Sequence, residues 1–365
     1  MTTAPAESPV AARPRRPGFF TVARTVAVIT LLYALVLVYP PLRLLTLLLP
    51  DWSPGTAALL AIIVLPLFGR LAHEWWPGHA TRWTSAVALT WLGVCFIAFA
   101  LLIPLEIALL AGLARRDAGI AGVSAAGLLT AWGMINAQRL HTREIVVDGK
   151  GKARGRLVQI SDVHLGSRAP GLLKRIVARV NDAAPDVLLI TGDFIDFRNV
   201  SLADLAPLKD VRAPMYFVIG NHERYVDLED ICLRLERLGV HVLRNRALGA
   251  GAFHFIGIDD AEAKDQVARH LPALPKDPER FQVLLYHRPD GLEAAAAHGM
   301  DLMLCGHTHN GQIMPFNLLV RRMFPRITGV HQLGPTLLYV SPGTGTWGPV
   351  LRLGSRSEVT VLDVR

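Results

Sequence analysis

The stretch LVQISDVH, residues 157–164, opens with a short β-prone run, 157–160, and closes on two ligand-type side chains, Asp162 and His164, one residue apart. An apolar, β-branched run of this length with polar residues at its end reads as a buried strand. The pattern returns downstream. Residues 187–190 lead to Gly192-Asp193, and 215–219 lead to Gly220-Asn221-His222. Residues 282–286 lead to His287, and 302–304 lead to Gly306-His307-Thr308-His309. Residues 253–258 supply another strand, and 337–340 and 359–362 two late ones. Helical patterns at 172–182 and 228–238 fall between them, so this part of the chain is expected to be α/β.

Functional groups in open α/β sheets gather at the carboxyl ends of strands, so the five polar segments are expected to converge although they lie far apart in sequence. Asp, Asn and His together offer oxygen and imidazole donors, which suit Mn²⁺, Fe or Zn²⁺ better than an all-oxygen Ca²⁺ cage. The donors outnumber the four that a single zinc takes, and one Asp can bridge two cations through its two oxygens. Two divalent cations are therefore expected. Any one segment alone is a weak signal, because an Asp after a strand is commonly a turn or capping residue.

Upstream the composition changes. Of the 365 residues 51% are hydrophobic and 19% charged, and the apolar excess lies before about residue 140. Four runs, 22–39, 56–68, 84–103 and 119–137, approach the length that crosses a hydrocarbon layer about 30 Å thick. Pro40, Pro41, Pro50, Pro54 and the segment 70–82, with Pro77 and Gly78, are expected to break them. Trp52, Trp75, Trp76 and Trp83 sit beside the breaks, where amphipathic rings favour the headgroup level. Pro66 interrupts the second run, so three spans is the alternative count, and a wholly soluble helical core is the other reading.

Basic residues set the orientation. Four spans put Arg13, Arg15, Arg16, Arg24, Arg70, Arg82, Arg139, Arg143, Lys150, Lys152, Arg154 and Arg156 on one side and only Arg43, Arg115 and Arg116 on the other. The first side is expected to be cytoplasmic, in a bacterial inner or cell membrane, with the α/β domain on it. A twin-arginine export signal at Arg15-Arg16 competes, but Pro17-Gly18 and three further apolar runs follow it. The expected organisation is a flexible basic tail (1–21), a transmembrane helical region (22–138), a basic juxtamembrane linker (139–155) and a catalytic domain (156–365). Topology accounts for much of the net charge of +8, and no aromatic-basic recognition motif accompanies it. The lipid bilayer, not nucleic acid, is the expected partner. Cys95, Cys232 and Cys305 are far apart with no CxxC pair, so neither a disulfide framework nor a thiolate zinc site is indicated.

The ordered set DVH, GD, GNHE, H and GHTH resembles the signature of the calcineurin-like metallophosphoesterases, over roughly residues 156–365. Its membrane-attached arrangement resembles the bacterial transmembrane phosphoesterases that include UDP-2,3-diacylglucosamine hydrolases. The resemblance implies two facing mixed sheets flanked by helices. It also implies that Asp162, His164, Asp193 and His309 hold one metal and that Asp193, Asn221, His287 and His307 hold the second, with Mn²⁺ favoured and Zn²⁺ or Fe as alternatives. Paired cations would lower the pKa of a trapped water, supplying hydroxide for in-line attack on phosphorus. His222 would stabilise phosphoryl charge and assist the leaving oxygen, and Asp196 would orient it. The expected activity is hydrolysis of a phosphodiester or pyrophosphate bond, with a lipid-linked sugar nucleotide as one substrate class. The alternatives are a tethered phosphatase for soluble nucleotides or phosphoproteins and a non-enzymatic membrane sensor or transport protein.

Other residues carry two readings each. Glu223 is either a support for the ligands or an exposed helix-start carboxylate. Arg198 and Arg352 are either phosphate clamps or solvated. His254 reads as a satisfied core residue, and Cys305 as a small strand residue rather than a nucleophile. Within 313–331, Phe316, Leu318, Leu319, Val320, Met323 and Phe324 stand beside Arg321, Arg322 and Arg326. That is either a lipid-facing surface or lid, or an insertion packed on its own domain.

Overall fold

The computed structural model describes residues 19–76, 78–166, 171–198 and 200–365. Most of the expected basic tail, 1–18 with Arg13, Arg15 and Arg16, lies outside the described residues, as does Pro77. Among the described residues, four helices are long and apolar enough to cross a membrane: Arg24–Leu48, Thr56–His73, Ala80–Leu110 and Arg115–Gln138. The first is composite. Helix α1 (Phe19–Tyr33) passes through a π turn, Ala34–Val38, into α2 (Tyr39–Leu48), and it is followed by α3 (Thr56–Trp75), α4 (His79–Leu110) and α5 (Arg115–Gln138).

Pro40 and Pro41 do not end the first helix, contrary to the sequence expectation. Proline lacks an N–H and crowds the carbonyl four residues back, which in a regular helix forces a stop or a kink. Here the wider π turn directly precedes the pair and gives the rings room. The Leu37 carbonyl, four residues before Pro41, accepts instead from Cys95 Sγ of α4 at 3.5 Å. Pro66 likewise sits inside α3, which continues to Trp75. Between α2 and α5, a Cβ on Gly119 would lie 2.6 Å from the Leu47 carbonyl carbon, so only glycine admits this helix contact. Arg43, one of the few cations expected on the sparse side, pairs with both oxygens of Glu106 at 2.6 and 2.9 Å, which sharpens the charge asymmetry.

The described residues after α5 build twelve strands: β1 (Leu140–Val147), β2 (Gly155–Ile160), β3 (Val187–Thr191), β4 (Met215–Val218), β5 (Val240–Val242), β6 (Arg246–Ala250), β7 (Phe253–Gly257), β8 (Phe281–Leu285), β9 (Leu302–Cys305), β10 (Gly329–Leu333), β11 (Thr336–Val340) and β12 (Ser357–Val364). They form two six-stranded mixed sheets, β1-β12-β2-β3-β4-β5 and β10-β11-β9-β8-β7-β6. The period of two in each strand makes the layers. Leu157, Leu189 and Val218 of one sheet meet Phe255, Val283 and Leu304 of the other in a shared core. Val158, Leu188, Ile190 and Phe217 point the opposite way, onto Leu172, Leu173 and Ile176 of α6 (Gly171–Asp182). Ile256, Leu284 and Met303 pack outward on Leu292 and Ala295.

The basic segment 139–155 holds β1, which pairs along its whole length with β12 in parallel. Because β12 runs antiparallel to β2, β1 begins at the end of the sheet where β2 finishes. Helix α5 therefore delivers the chain to the rim that carries Asp162 and His164. The helices are fastened there. Asn136 of α5 donates to the carbonyls of Arg352 and Ser355 at 2.9 Å each, and Arg352 N–H donates to Gly133 O at 3.0 Å. Ile97 of α4 is buried with Ile313 and Leu351. At about 1.5–3 kcal/mol for each fully buried aliphatic side chain, this apolar contact and the backbone bonds amount to docking rather than a tether.

Candidate metal centre

Strands β2, β3 and β4 are mutually parallel, as are β8 and β9, so their carboxyl ends present the polar segments to one place. Asp162, His164, Asp193, His307 and His309 all adopt positive φ, from 49° to 74°. Non-glycine residues tolerate that region poorly, and its concentration at five residues of one site marks local strain held by the surrounding fold. Adjacent loops also abut. Gly192 has φ +84°, and a Cβ there would stand 2.6 Å from His287 Nδ1.

Three donor groups have ligand atoms within 4.8 Å of one another: Asp162, His164 and His309; His164, Asp193 and His222; and Asp193, His287 and His307. All seven residues expected as ligands lie at the shared rim. His309 Nε2 is 3.0 Å from His164 Nε2 and 3.4 Å from Asp162 Oδ1. His287 Nε2 is 3.0 Å from Asp193 Oδ2 and 3.1 Å from His307 Nδ1. Asn221 is buried, and its Oδ1 has no hydrogen-bond partner among the described residues. His222, expected as a proton donor, also falls in one donor group, with Nε2 3.9 Å from Asp193 Oδ2.

The imidazoles are oriented from behind. His287 Nδ1 lies 2.8 Å from Thr191 O, and His164 Nδ1 lies 2.6 Å from Asp196 Oδ1. Engaging Nδ1 with an oxygen acceptor leaves Nε2 as the outward-facing donor, the arrangement common behind metal-bound histidines. The ligand carboxylates are braced too: Asp162 accepts from His307 N–H at 3.0 Å, and Asp193 from His222 N–H at 2.9 Å. An orphaned amide oxygen, facing imidazole nitrogens and a carboxylate shared between donor groups fit a pair of divalent cations.

Electrostatics at the rim are uneven. Burial lowers the pKa of His287, but Asp193 and Asp162 outweigh it and push it up to about 10. Burial raises Asp193, yet His287, His222 and His164 hold it well below the usual carboxylate range. Burial raises the pKa of Asp162, and burial drives His307 down to about 3, helped by His287. His222 is pushed up to about 9, since Asp196 and Asp193 more than offset burial.

Glu223 resolves in favour of support. It is fully buried, and its carboxylate accepts four backbone N–H groups: Asp193 at 3.1 Å, Phe194 at 2.6 Å, Ile195 at 3.1 Å and Gly220 at 2.8 Å. It pins the loops that carry Asp193 and Asn221. Glu223 does stand in the first turn of the helix Asn221–Val226 and caps it through Gly220 N–H, but it is not exposed, because the donors of Asp193, Phe194 and Ile195 draw the side chain inward. Arg352 is also buried, and it donates to the carbonyls of Gly343 at 3.0 Å and Gly345 at 2.7 Å, so it holds a loop rather than clamping phosphate. Arg198 is exposed and donates to Val226 O. His254 is a core residue with Nε2 on Pro275 O at 3.0 Å.

A mixed two-sheet sandwich with Asp, Asn and His converging on one rim defines a metallophosphoesterase architecture. Residues 155–311 match the calcineurin-like phosphoesterases. An uncharacterized metallophosphoesterase of Aquifex aeolicus is 31% identical over 253 residues, which cover 65% of this chain and 97% of that protein. A Campylobacter jejuni metallophosphoesterase, also uncharacterized, is 31% identical over 221 residues, covering 58% of this chain and 59% of its own length. A transmembrane protein with metallophosphoesterase domain from Danio rerio is 35% identical over 231 residues, covering 56% of this chain and 52% of its own. The chain thus spans little more than half the length of the latter two relatives. It belongs to the calcineurin-like metallophosphoesterase family, whose members use divalent metal ions.

Proposed function

We propose that the chain is a membrane-anchored, dinuclear phosphoester hydrolase acting on a phosphodiester or pyrophosphate bond of a lipid-linked substrate, with UDP-2,3-diacylglucosamine as the specific candidate. The observation that carries the reading is Asp193, whose carboxylate belongs to the donor group of His164 and His222 and to that of His287 and His307. In this reading Asp162, His164, Asp193 and His309 hold one cation, and Asp193, Asn221, His287 and His307 hold the other; the oxygen and imidazole mixture suits Mn²⁺, Fe or Zn²⁺, and manganese is the first candidate. Bound there, the cations supply positive charge that acidifies water and offsets charge on the phosphoryl oxygens. His222 keeps Nδ1 on Asp196 at 2.8 Å, so Nε2 is the nitrogen that gives a proton to the leaving oxygen. Asp196 fixes the ring plane, and Glu223 fixes the backbone on which Asp193 and Asn221 are carried.

In this reading the four apolar helices anchor the domain, and the bias of basic residues favours the cytoplasmic face of a bacterial membrane. Docking of α4 and α5 against the site favours a lipid-linked substrate over a soluble one. The test is hydrolysis by the full chain in detergent. Chelation abolishes cleavage of bis-p-nitrophenyl phosphate, Mn²⁺ restores it best, and Asp193→Asn is inactive. Activity of the metal-stripped Asp193→Asn protein would sink the mechanism. Equal turnover of the acylated sugar nucleotide and its deacylated form would point to a tethered phosphatase for soluble substrates.

A further inference from the structure

A cavity of about 190 Å³ joins the two parts of the molecule, lined by Leu89 and Leu92 of α4, by Asp196, Phe197 and His222 of the site, and by the loop Trp347, Gly348 and Pro349. We propose that this groove is the binding site for the apolar chain of the substrate, with Leu89, Leu92 and Trp347 as its chain-selecting wall. The proposal rests on the phosphoesterase reading and names the feature of the substrate that reaches the site.

Three observations support it. Topology brings α5 to the same rim as the donors, so the centre faces the helices rather than bulk solvent on that side. Helix α4 has 32 residues and, at about 1.5 Å per residue, is longer than a hydrocarbon layer of about 30 Å requires. Its stretch beside the domain is marked by Gly93, where a Cβ would stand 3.0 Å from Pro349 and closer still to Leu351, and by Ile97, buried with Ile313 and Leu351; Leu89 and Leu92 lie next to these positions. The facing wall is rigid: Gln312 accepts from Trp347 N–H at 2.9 Å and donates to the carbonyls of Trp347 at 2.9 Å and Pro349 at 3.0 Å. Its loop is tied to the donor strand by Thr344 N–H on Ser161 O and Gly345 N–H on Asp162 O, at 2.7 and 2.9 Å. The Trp347 ring still stands 52% exposed, with its centroid 6.4 Å from that of His222. A fixed aromatic surface and two leucines beside a polar centre are the mixture that seats an apolar group while orienting a polar one. The volume is below the roughly 300–1,000 Å³ of a whole small-molecule pocket, so it takes part of a chain whose remainder lies along α4 toward the bilayer.

The test uses the full chain in lipid nanodiscs with Mn²⁺ and two p-nitrophenyl phosphodiesters whose second ester group is methyl or decyl. The decyl ester is favoured at least tenfold in kcat/KM. Leu92→Trp, which fills the groove, and Trp347→Ala, which removes its wall, each lower the decyl-to-methyl ratio at least fivefold. A ratio unchanged in both variants would overturn the assignment. A second arm needs no turnover: a decyl phosphonate bearing a terminal diazirine is photolysed on the wild type and on Asp193→Asn. Adducts at Leu89, Leu92 or Trp347 support the groove, and adducts confined to other residues overturn it. Absence of metal-dependent cleavage of both esters counts against the phosphoesterase reading alone, and the photoadducts then decide the groove.

Discussion

The carboxylate of Asp196 accepts from Nδ1 of His222 at 2.8 Å, and the same oxygen accepts from Nδ1 of His164 at 2.6 Å. One group thus serves both the proposed proton donor and a proposed metal ligand, and the two roles separate by mutation. His222→Ala retains both metals by elemental analysis yet loses about two decades of rate, as positioned proton donors commonly contribute that much. Asp196→Asn loses rate and also weakens metal binding, since partners behind ligating histidines are commonly worth about 10–100-fold in affinity. Unchanged metal affinity in Asp196→Asn would remove the link to His164.

Glu223 offers a stability test. Its two oxygens each accept two backbone N–H groups, and Glu223→Gln turns one oxygen into a donor that faces donors. Each buried group left unsatisfied costs about 1–3 kcal/mol, so the domain loses about 2 kcal/mol or more. Thermal unfolding without added metal reads this as a fall in Tm of roughly 4 °C or more. An unaltered melt would show that the loops of Asp193 and Gly220 hold themselves.

Topology gives a third prediction. With four crossing helices and the cation-rich segments all on one side, both termini lie in the cytoplasm. A carboxyl-terminal fluorescent reporter is active there, and an alkaline phosphatase fusion at the same point is silent. A strong phosphatase signal would mean an odd number of spans or an exported domain.

The convergence of these side chains on one rim was legible because each stands just past a strand, and the order of the segments carries information that no single one does. Strands β2, β3, β4, β7, β8 and β9 were legible as apolar runs. Strand β1 was not: at a sheet edge LHTREIVV buries only Ile145 and Val147 and exposes Thr142, Arg143 and Glu144 in a row, so its basic and polar positions imitate a linker. The burial of Glu223 was hidden for a different reason. Only the Gly220 donor is local, a helix-start contact that a solvated carboxylate also makes; the other three come from a loop 28 to 30 residues away, so the sequence near Glu223 does not show its burial. Pro40 and Pro41 misled because their effect depends on a π turn and on a thiol from another helix. That Leu89 and Leu92 line a cavity shared with Asp196 and His222 depends on how helices dock on the rim, which periodicity does not encode.

The segment after Gln312 yields the last prediction. Helix Phe316–Met323 buries Val320 with Phe324 and Ile327, while Leu318 and Leu319 are 61% and 54% exposed. Arg321 and Arg322 are exposed on the same short helix. Phe316 meets Phe96 of α4 edge to face, with ring centroids 6.0 Å apart, so the exposed leucines adjoin a helix able to cross the membrane. Phe324 packs on His307 and beneath Arg288 of the domain, so the segment is packed on its own domain, and its exposed side offers an apolar, cationic surface. Such a surface settles at an anionic interface, where each nearby arginine is worth about 1 kcal/mol and salt screens the attraction. The native cysteines are buried, so an environment-sensitive dye on Leu319→Cys reports this position. Its emission shifts to the blue in nanodiscs of anionic lipid and returns toward the aqueous value at high salt. Arg321→Glu with Arg322→Glu abolishes the anionic preference and leaves the melting temperature of the domain unchanged. Aqueous emission in every lipid would assign the helix to the domain surface alone, with its leucines facing water.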